Sequence, residues 1–144
     1  INLKDSNILD IYSGIGSFGL EAISRGASKV TFIENYSKTL TILKKNIANL
    51  SIYDNVELVS VDVFKFFSRN LTKKYEVIFL DPPFDDQSFH KILKAIYDKQ
   101  IYNKQHVVIV HREDRMKEKF EDYLDPILVK NYGRSKIFFF KFLR

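Results

Sequence analysis

The sequence has no cysteine in its 144 residues. Disulfides and thiolate metal sites are thereby excluded, which suits a cytoplasmic location. It has no apolar run near the roughly 20 residues that span a bilayer, so no membrane partner is expected. It lacks a basic start followed by an apolar stretch and a small-residue cleavage site, so nothing points to secretion. Its three histidines, His90, His106 and His111, lack metal-ligand spacing, and no metal site is expected. Repeats, low-complexity tracts and Gly/Ser/Pro-rich linkers are also missing. Proline is scarce: two of the three stand side by side in "YEVIFLDPPFDD", Tyr75 to Asp86.

What is present is ordinary for a globular chain: 45% hydrophobic and 28% charged residues. The length suits one catalytic domain over residues 1–144, with a real core. The net charge of +5 favours polyanions such as nucleic acid. The chain opens on Ile1 rather than Met, so an N-terminal extension is expected upstream.

Short apolar runs alternate with helical periods. Asn7 to Tyr12, Lys29 to Glu34, Val56 to Val61, Tyr75 to Leu80 and His106 to Val110 read as strands. Ser17 to Arg25 reads as a helix closed by Gly26. Leu40, Leu43, Ile47 and Leu50 form one helical stripe, and Phe89, Ile92, Leu93 and Ile96 another. Asp62 to Arg69 reads as a short helix, and the charged stretch Arg112 to Phe120 as a further one. Pro126 to Tyr132 and Lys136 to Phe142 read as two last strands around "YGRS", too close for a parallel crossover and therefore antiparallel. The fold class expected is α/β: a Rossmann-like, mostly parallel sheet ending in an antiparallel hairpin, with helices on both faces. The aromatic run Phe138-Phe139-Phe140 is expected to be buried on two faces of that sheet.

After the first strand comes "DIYSGIGSFG", in which Gly14, Gly16 and Gly19 match G-x-G-x-x-G. Such a loop turns tightly and lets a ligand approach its backbone. Glu34 follows Gly14 at about the 20-residue spacing of an acid that binds ribose hydroxyls, and it could instead be a capping or exposed residue. Asp62 ends the third strand, either as a helix cap or as an acceptor for an adenine amine. An adenosine-bearing ligand is implied, as a nicotinamide cofactor or as S-adenosylmethionine. Asp10 would repel a pyrophosphate but suits an ammonium group, which tilts the reading toward the methyl donor.

The segment Asp81-Pro82-Pro83-Phe84 ends the fourth strand, across the switch point from the glycine loop. Alone it could be a stiff strand exit. Together with the loop it suits methylation of an exocyclic nucleobase amine, a poor nucleophile whose lone pair is delocalised. The Asp81 carboxylate and the Pro82 carbonyl, set by the fixed φ of proline, can accept the two amine N–H groups. Phe84 can stack on the base, worth about 1–3 kcal/mol. A preorganised carboxylate stabilises the charge that builds on nitrogen.

These residues resemble S-adenosylmethionine-dependent methyltransferases with a (D/N/S)-P-P-(F/Y/W) motif. Within them the chain resembles the bacterial RsmD family, which methylates the N2 amine of a guanine in 16S ribosomal RNA. The stretches that carry the resemblance are "ILDIYSGIGSFGLEAISRGASKVTFIE", "VIFLDPPF" and "NYGRSKI". It implies the class I methyltransferase sheet and a donor site of Asp10, Ser13, Gly14, Gly16, Glu34, Asn35, Asp62 and Val63. It implies Asp81, Pro82 and Phe84 at the target base. Ribosomal RNA, either naked or within an assembled small-subunit particle, would be the partner, and a monomer is expected. The family usually has Phe-Ala where this chain has Tyr12-Ser13, and its members carry an N-terminal Arg-Pro-Thr segment and hairpin implicated in RNA contact. Other chemistry on the same residues would be methylation of DNA adenine N6 or another nucleobase amine, or a non-catalytic nucleotide- or nucleic-acid-binding module. Arg134 could contact phosphate or be a plain turn residue.

Overall fold

The computed structural model describes residues 2–115 and 117–143. Seven strands form one sheet: β1 (Asn7–Ile11), β2 (Lys29–Ile33), β3 (Val56–Val59), β4 (Tyr75–Leu80), β5 (Tyr102–Glu113), β6 (Leu124–Tyr132) and β7 (Ser135–Phe142). Among the described residues four α-helices accompany them, α1 (Ser17–Ser24), α2 (Ser37–Leu50), α3 (Val63–Phe67) and α4 (Phe89–Lys99), with one 3-10 turn at Tyr53–Asn55. The strand order is β3-β2-β1-β4-β5-β7-β6. The first five strands are parallel, and β7 runs antiparallel between β5 and β6. This is the Rossmann-like class I methyltransferase sheet expected from the sequence.

The sheet is coated on both faces, so its central strands read as unbroken apolar runs. Ile8, Leu9 and Ile11 of β1 are fully buried. On one face Leu43 and Ile47 of α2 and Ala22 of α1 pack on Ile8, Val30 and Phe32. On the other, Phe66 of α3 and Phe89, Ile92 and Leu93 of α4 pack on Leu9, Ile78 and Leu80. The phenylalanine run splits as the pleat requires. Phe138 and Phe140 share the α4 face with parallel rings, 5.9 Å apart, and Phe139 faces the opposite core.

Gly19 sets how closely α1 sits on the sheet. A Cβ there would stand 2.3 Å from Cε1 of Phe32, so only glycine permits this approach. The strand order reverses at β1, flanked by β2 on one side and β4 on the other. A crevice at the carboxyl ends of β1 and β4 is the physical result.

One expected element is different. Arg112 to Phe120 is not a helix among the described residues; Met116, which the sequence put inside it, lies outside them. β5 instead continues through Glu113, because β7 pairs with it as far as Glu113↔Ser135. Arg112 is completely buried and bonds Glu118. A run of charge that reads as a solvated helix thus hides an interior ion pair. β1 and β3 also stop short of the expected ends, at Ile11 and Val59.

Candidate functional site

The site is built on strand ends tied side by side. The Asp81 N–H donates to the Ile11 carbonyl at 3.3 Å, the Ser13 N–H to Ile33 at 3.1 Å, and the Glu34 N–H to Val59 at 3.3 Å. Tyr12, Gly14, Glu34, Asp81, Pro82, Pro83 and Phe84 line one open cleft of about 410 Å³. Residues from the glycine loop, from the end of β2 and from the end of β4 therefore meet in one place. A second cleft opens by Lys4, Glu76 and His106 at the opposite end of the sheet, away from the glycine loop.

The glycine loop is braced from below. Helix α1 has no side-chain cap at Gly16. The Asp10 carboxylate takes that part, with Oδ2 accepting the Gly19 N–H at 3.1 Å. The other oxygen, Oδ1, is buried without a partner among the described residues. Burial pushes the Asp10 carboxyl well above its ordinary value; the Gly19 N–H opposes this, and the charges of Asp81 and Glu34 add to it. A buried acceptor without a donor, among further carboxylates, fits a cationic amine and repels a pyrophosphate. Ser13 Oγ donates to the Asp10 carbonyl at 2.6 Å, which fixes the loop entrance. Gly14 has φ +56° and open space where a Cβ would be, so its bare backbone faces the cleft.

Glu34 closes the loop from the β2 side. Its Oε1 accepts the Gly14 N–H at 2.9 Å, and its Oε2 accepts the Tyr36 N–H at 3.1 Å and the Thr39 hydroxyl at 2.7 Å. A carboxylate offers about four acceptor positions, so one remains open to a ligand donor. Asn35 follows it, exposed. Asp62 caps α3, accepting from the Phe64 N–H at 3.0 Å and the Lys65 N–H at 3.3 Å through Oδ2 alone. Its Oδ1 is outside those bonds, and Val63 begins the helix beside it.

Tyr12 departs from ordinary backbone geometry at φ +60°, a left-handed conformation that costs a non-glycine residue about 1–2 kcal/mol. Its hydroxyl is buried without a partner among the described residues. Burial pushes its phenol far up, and the charges of Asp86 and Asp62 add to that. The turn after β1 is thus strained at the cleft wall, where strain is commonly tolerated for function.

Asp81, Pro82 and Phe84 stand on the far wall. Phe84 is 38% exposed, so its side chain is accessible from the cleft. Two residues that the sequence did not mark for this role, His111 and Arg112, hold this wall, backed by Ser135 and Glu118. His111 Nδ1 lies 2.8 Å from Asp81 Oδ1, and His111 Nε2 lies 2.8 Å from Ser135 Oγ. Arg112 donates from Nη1 to the Pro82 and Pro83 carbonyls, at 3.3 and 3.1 Å, and from Nη2 to the Phe84 carbonyl at 2.7 Å. Glu118 accepts from Arg112 Nε at 2.5 Å, and the guanidinium lies 4.6 Å over the Phe89 ring. One signal in the sequence points this way: "HR" stands at the exit of the strand next to the one that carries "DPPF".

The family described as "Conserved hypothetical protein 95" matches residues 1–141. Ribosomal RNA small subunit methyltransferase D of Buchnera aphidicola subsp. Acyrthosiphon pisum is 34% identical over 113 residues, covering 78% of this chain and 59% of its own length. The protein of that name from Buchnera aphidicola subsp. Baizongia pistaciae is 30% identical over 135 residues, covering 94% of this chain and 68% of its own length. A solved structure described as a conserved hypothetical protein of Streptococcus pyogenes matches with a TM-score of 0.87 and 25% identity, over 95% of this chain and 86% of that one. This chain spans only part of the length of the two Buchnera relatives. With the family match over almost its whole length, and with the glycine loop and the Asp-Pro-Pro-Phe segment facing one cleft, the chain belongs to the ribosomal RNA small subunit methyltransferase D family.

Proposed function

We propose that this protein uses S-adenosylmethionine to methylate the exocyclic N2 amine of a guanine in small-subunit ribosomal RNA. The observation that carries the reading is the shared cleft, in which Gly14 and Glu34 face Asp81, Pro82 and Phe84. Bound S-adenosylmethionine supplies an electrophilic methyl group on a sulfonium.

The chain supplies binding and orientation. Asp10 Oδ1, with Ser13, Gly14 and Gly16 around it, receives the ammonium end of the donor. Glu34 accepts from one ribose hydroxyl at its remaining acceptor position, and Asn35, Asp62 and the Val63 backbone border the adenine. On the opposite wall Asp81 Oδ2 accepts one amine N–H. The Pro82 carbonyl has a second lone pair beyond the one directed at Arg112, and it accepts the other N–H. Phe84 stacks on the guanine and fixes its plane. As positive charge grows on the amine nitrogen, Asp81 stabilises it without reorganising and then takes the proton that nitrogen loses.

The RNA reading is further supported by the β6–β7 turn. Arg134 is exposed there, next to Ser135, which bonds His111. A basic residue beside the cleft suits a phosphate backbone. The test is methyl transfer from labelled donor to undermethylated small-subunit particles, followed by nucleoside analysis. N2-methylguanine is the expected product. N6-methyladenine, or no nucleoside product, would overturn the reading.

A further inference from the structure

The segment that faces the target amine has two kinds of freedom to lose, the path of its backbone and the rotation of the Asp81 carboxylate. Arg112 removes the first. Its three bonds reach the consecutive carbonyls of Pro82, Pro83 and Phe84 from inside the protein. The guanidinium is itself held by Glu118, and both side chains are almost wholly buried. Asp81 by contrast keeps 44% of its side chain exposed. Its only side-chain bond recorded among the described residues is to His111.

We propose that His111 is a positioning residue for the acceptor base, acting through Asp81 and Phe84. The proposal rests on the reading of Asp81 to Phe84 as the amine-binding segment. An ionised carboxylate only accepts, so His111 Nδ1 carries the proton and donates it to Asp81 Oδ1 at 2.8 Å. That bond turns Oδ1 toward β5 and leaves Oδ2 for the amine. In the neutral ring Nε2 then accepts from the Ser135 hydroxyl at 2.8 Å, which fixes the imidazole plane. The same ring meets Phe84 edge to face, with centroids 5.9 Å apart and planes at 70°. One imidazole therefore touches both side chains that handle the base. Ser135 begins β7 and His111 directly follows Val110, the last β5 residue paired with β4; β5 and β7 are paired through His111↔Ile137 and Glu113↔Ser135. The antiparallel C-terminal strand thus sets the acceptor carboxylate, while the glycine loop on β1 serves the donor.

The test compares wild type with His111→Ala, His111→Asn and Ser135→Ala in steady-state methyl transfer, with donor affinity measured separately by calorimetry. Misplacement of about 1 Å at a reacting group can cost about 100-fold in rate, so His111→Ala should lower kcat by about 10- to 100-fold and leave donor affinity unchanged. Asn can place an N–H near the Nδ1 position, and His111→Asn should recover most of the loss. Ser135→Ala should fall between wild type and His111→Ala. Full kcat in His111→Ala, or no recovery in His111→Asn, overturns the proposal. A second measurement is independent of turnover. Nitrogen-15 shifts of the His111 ring should report the Nδ1–H tautomer in wild type and its loss in Asp81→Ala. The Nε2–H tautomer in wild type overturns the proposal even if no methyl transfer is seen. A wild-type protein with the Nδ1–H tautomer but no activity on nucleobase amines would instead count against the function reading alone.

Discussion

Arg112 Nη2 donates to the Phe84 carbonyl oxygen at 2.7 Å, from a side chain with no solvent exposure. A buried cation of this kind is tolerable only with a partner, and Glu118 is that partner, at 2.5 Å. Removing one member of such a pair leaves the other charged and unpaired. Glu118→Ala should destabilise the protein by about 3–5 kcal/mol, read as a lower urea midpoint. Arg112→Lys keeps the charge but cannot reach three carbonyls at once. It should lower kcat by a larger free energy than it lowers stability, which steady-state methyl transfer and urea titration read separately.

Asp10 gives a pH-dependent prediction. Burial raises its carboxyl pKa in the folded protein. The folded state then holds the proton more tightly than the unfolded one. Stability therefore falls as pH rises from the ordinary aspartate range through the raised value, provided no ligand is bound. Asp10→Asn keeps an acceptor for the Gly19 N–H but cannot ionise. Melting curves should show wild type losing stability relative to Asp10→Asn as pH rises through that window. Donor affinity should move the other way. Loss of a charge-assisted bond of about 1.5–3 kcal/mol should weaken donor binding by roughly 10- to 100-fold in Asp10→Asn.

The first and last glycines of the motif, Gly14 in the loop and Gly19 in α1, should respond differently to alanine. At Gly19 a Cβ would stand 2.3 Å from Phe32 and 2.8 Å from Cγ1 of Val30. Gly19→Ala should cost about 1–3 kcal/mol through overpacking between α1 and the sheet. At Gly14 nothing lies within 4 Å of the added carbon, but φ is +56°. Gly14→Ala should cost about 1 kcal/mol in backbone strain and should weaken donor binding, because the methyl group enters the cleft. Urea titration checks the first variant, and calorimetry with the donor product checks the second.

Much of this architecture was legible because it is local. Strands such as Tyr75–Leu80 are short apolar runs, and Leu43 and Ile47 repeat at helical spacing on α2. The glycine loop, Glu34 and the Asp-Pro-Pro-Phe segment are contiguous patterns, and the fold brings them to one cleft. Arg112 was not legible, because a charged residue in "HREDRMKEKFED" reads as solvent-facing. Its burial depends on carbonyls 28 to 30 positions earlier in the chain. The same holds for His111, whose partners Asp81 and Ser135 are 30 and 24 residues away. Tertiary pairing of β5 with β7 decided both, and no local period encodes it.

In the proposed mechanism Asp81 serves the acceptor amine rather than the donor. Single-turnover methyl transfer by Asp81→Ala, with donor affinity measured on the same sample, tests it most directly. The transfer rate should fall by about 100-fold or more, in line with loss of one preorganised charge-stabilising group, with donor affinity unchanged. Full transfer rate in Asp81→Ala, or a rate loss explained by weaker donor binding, would contradict it.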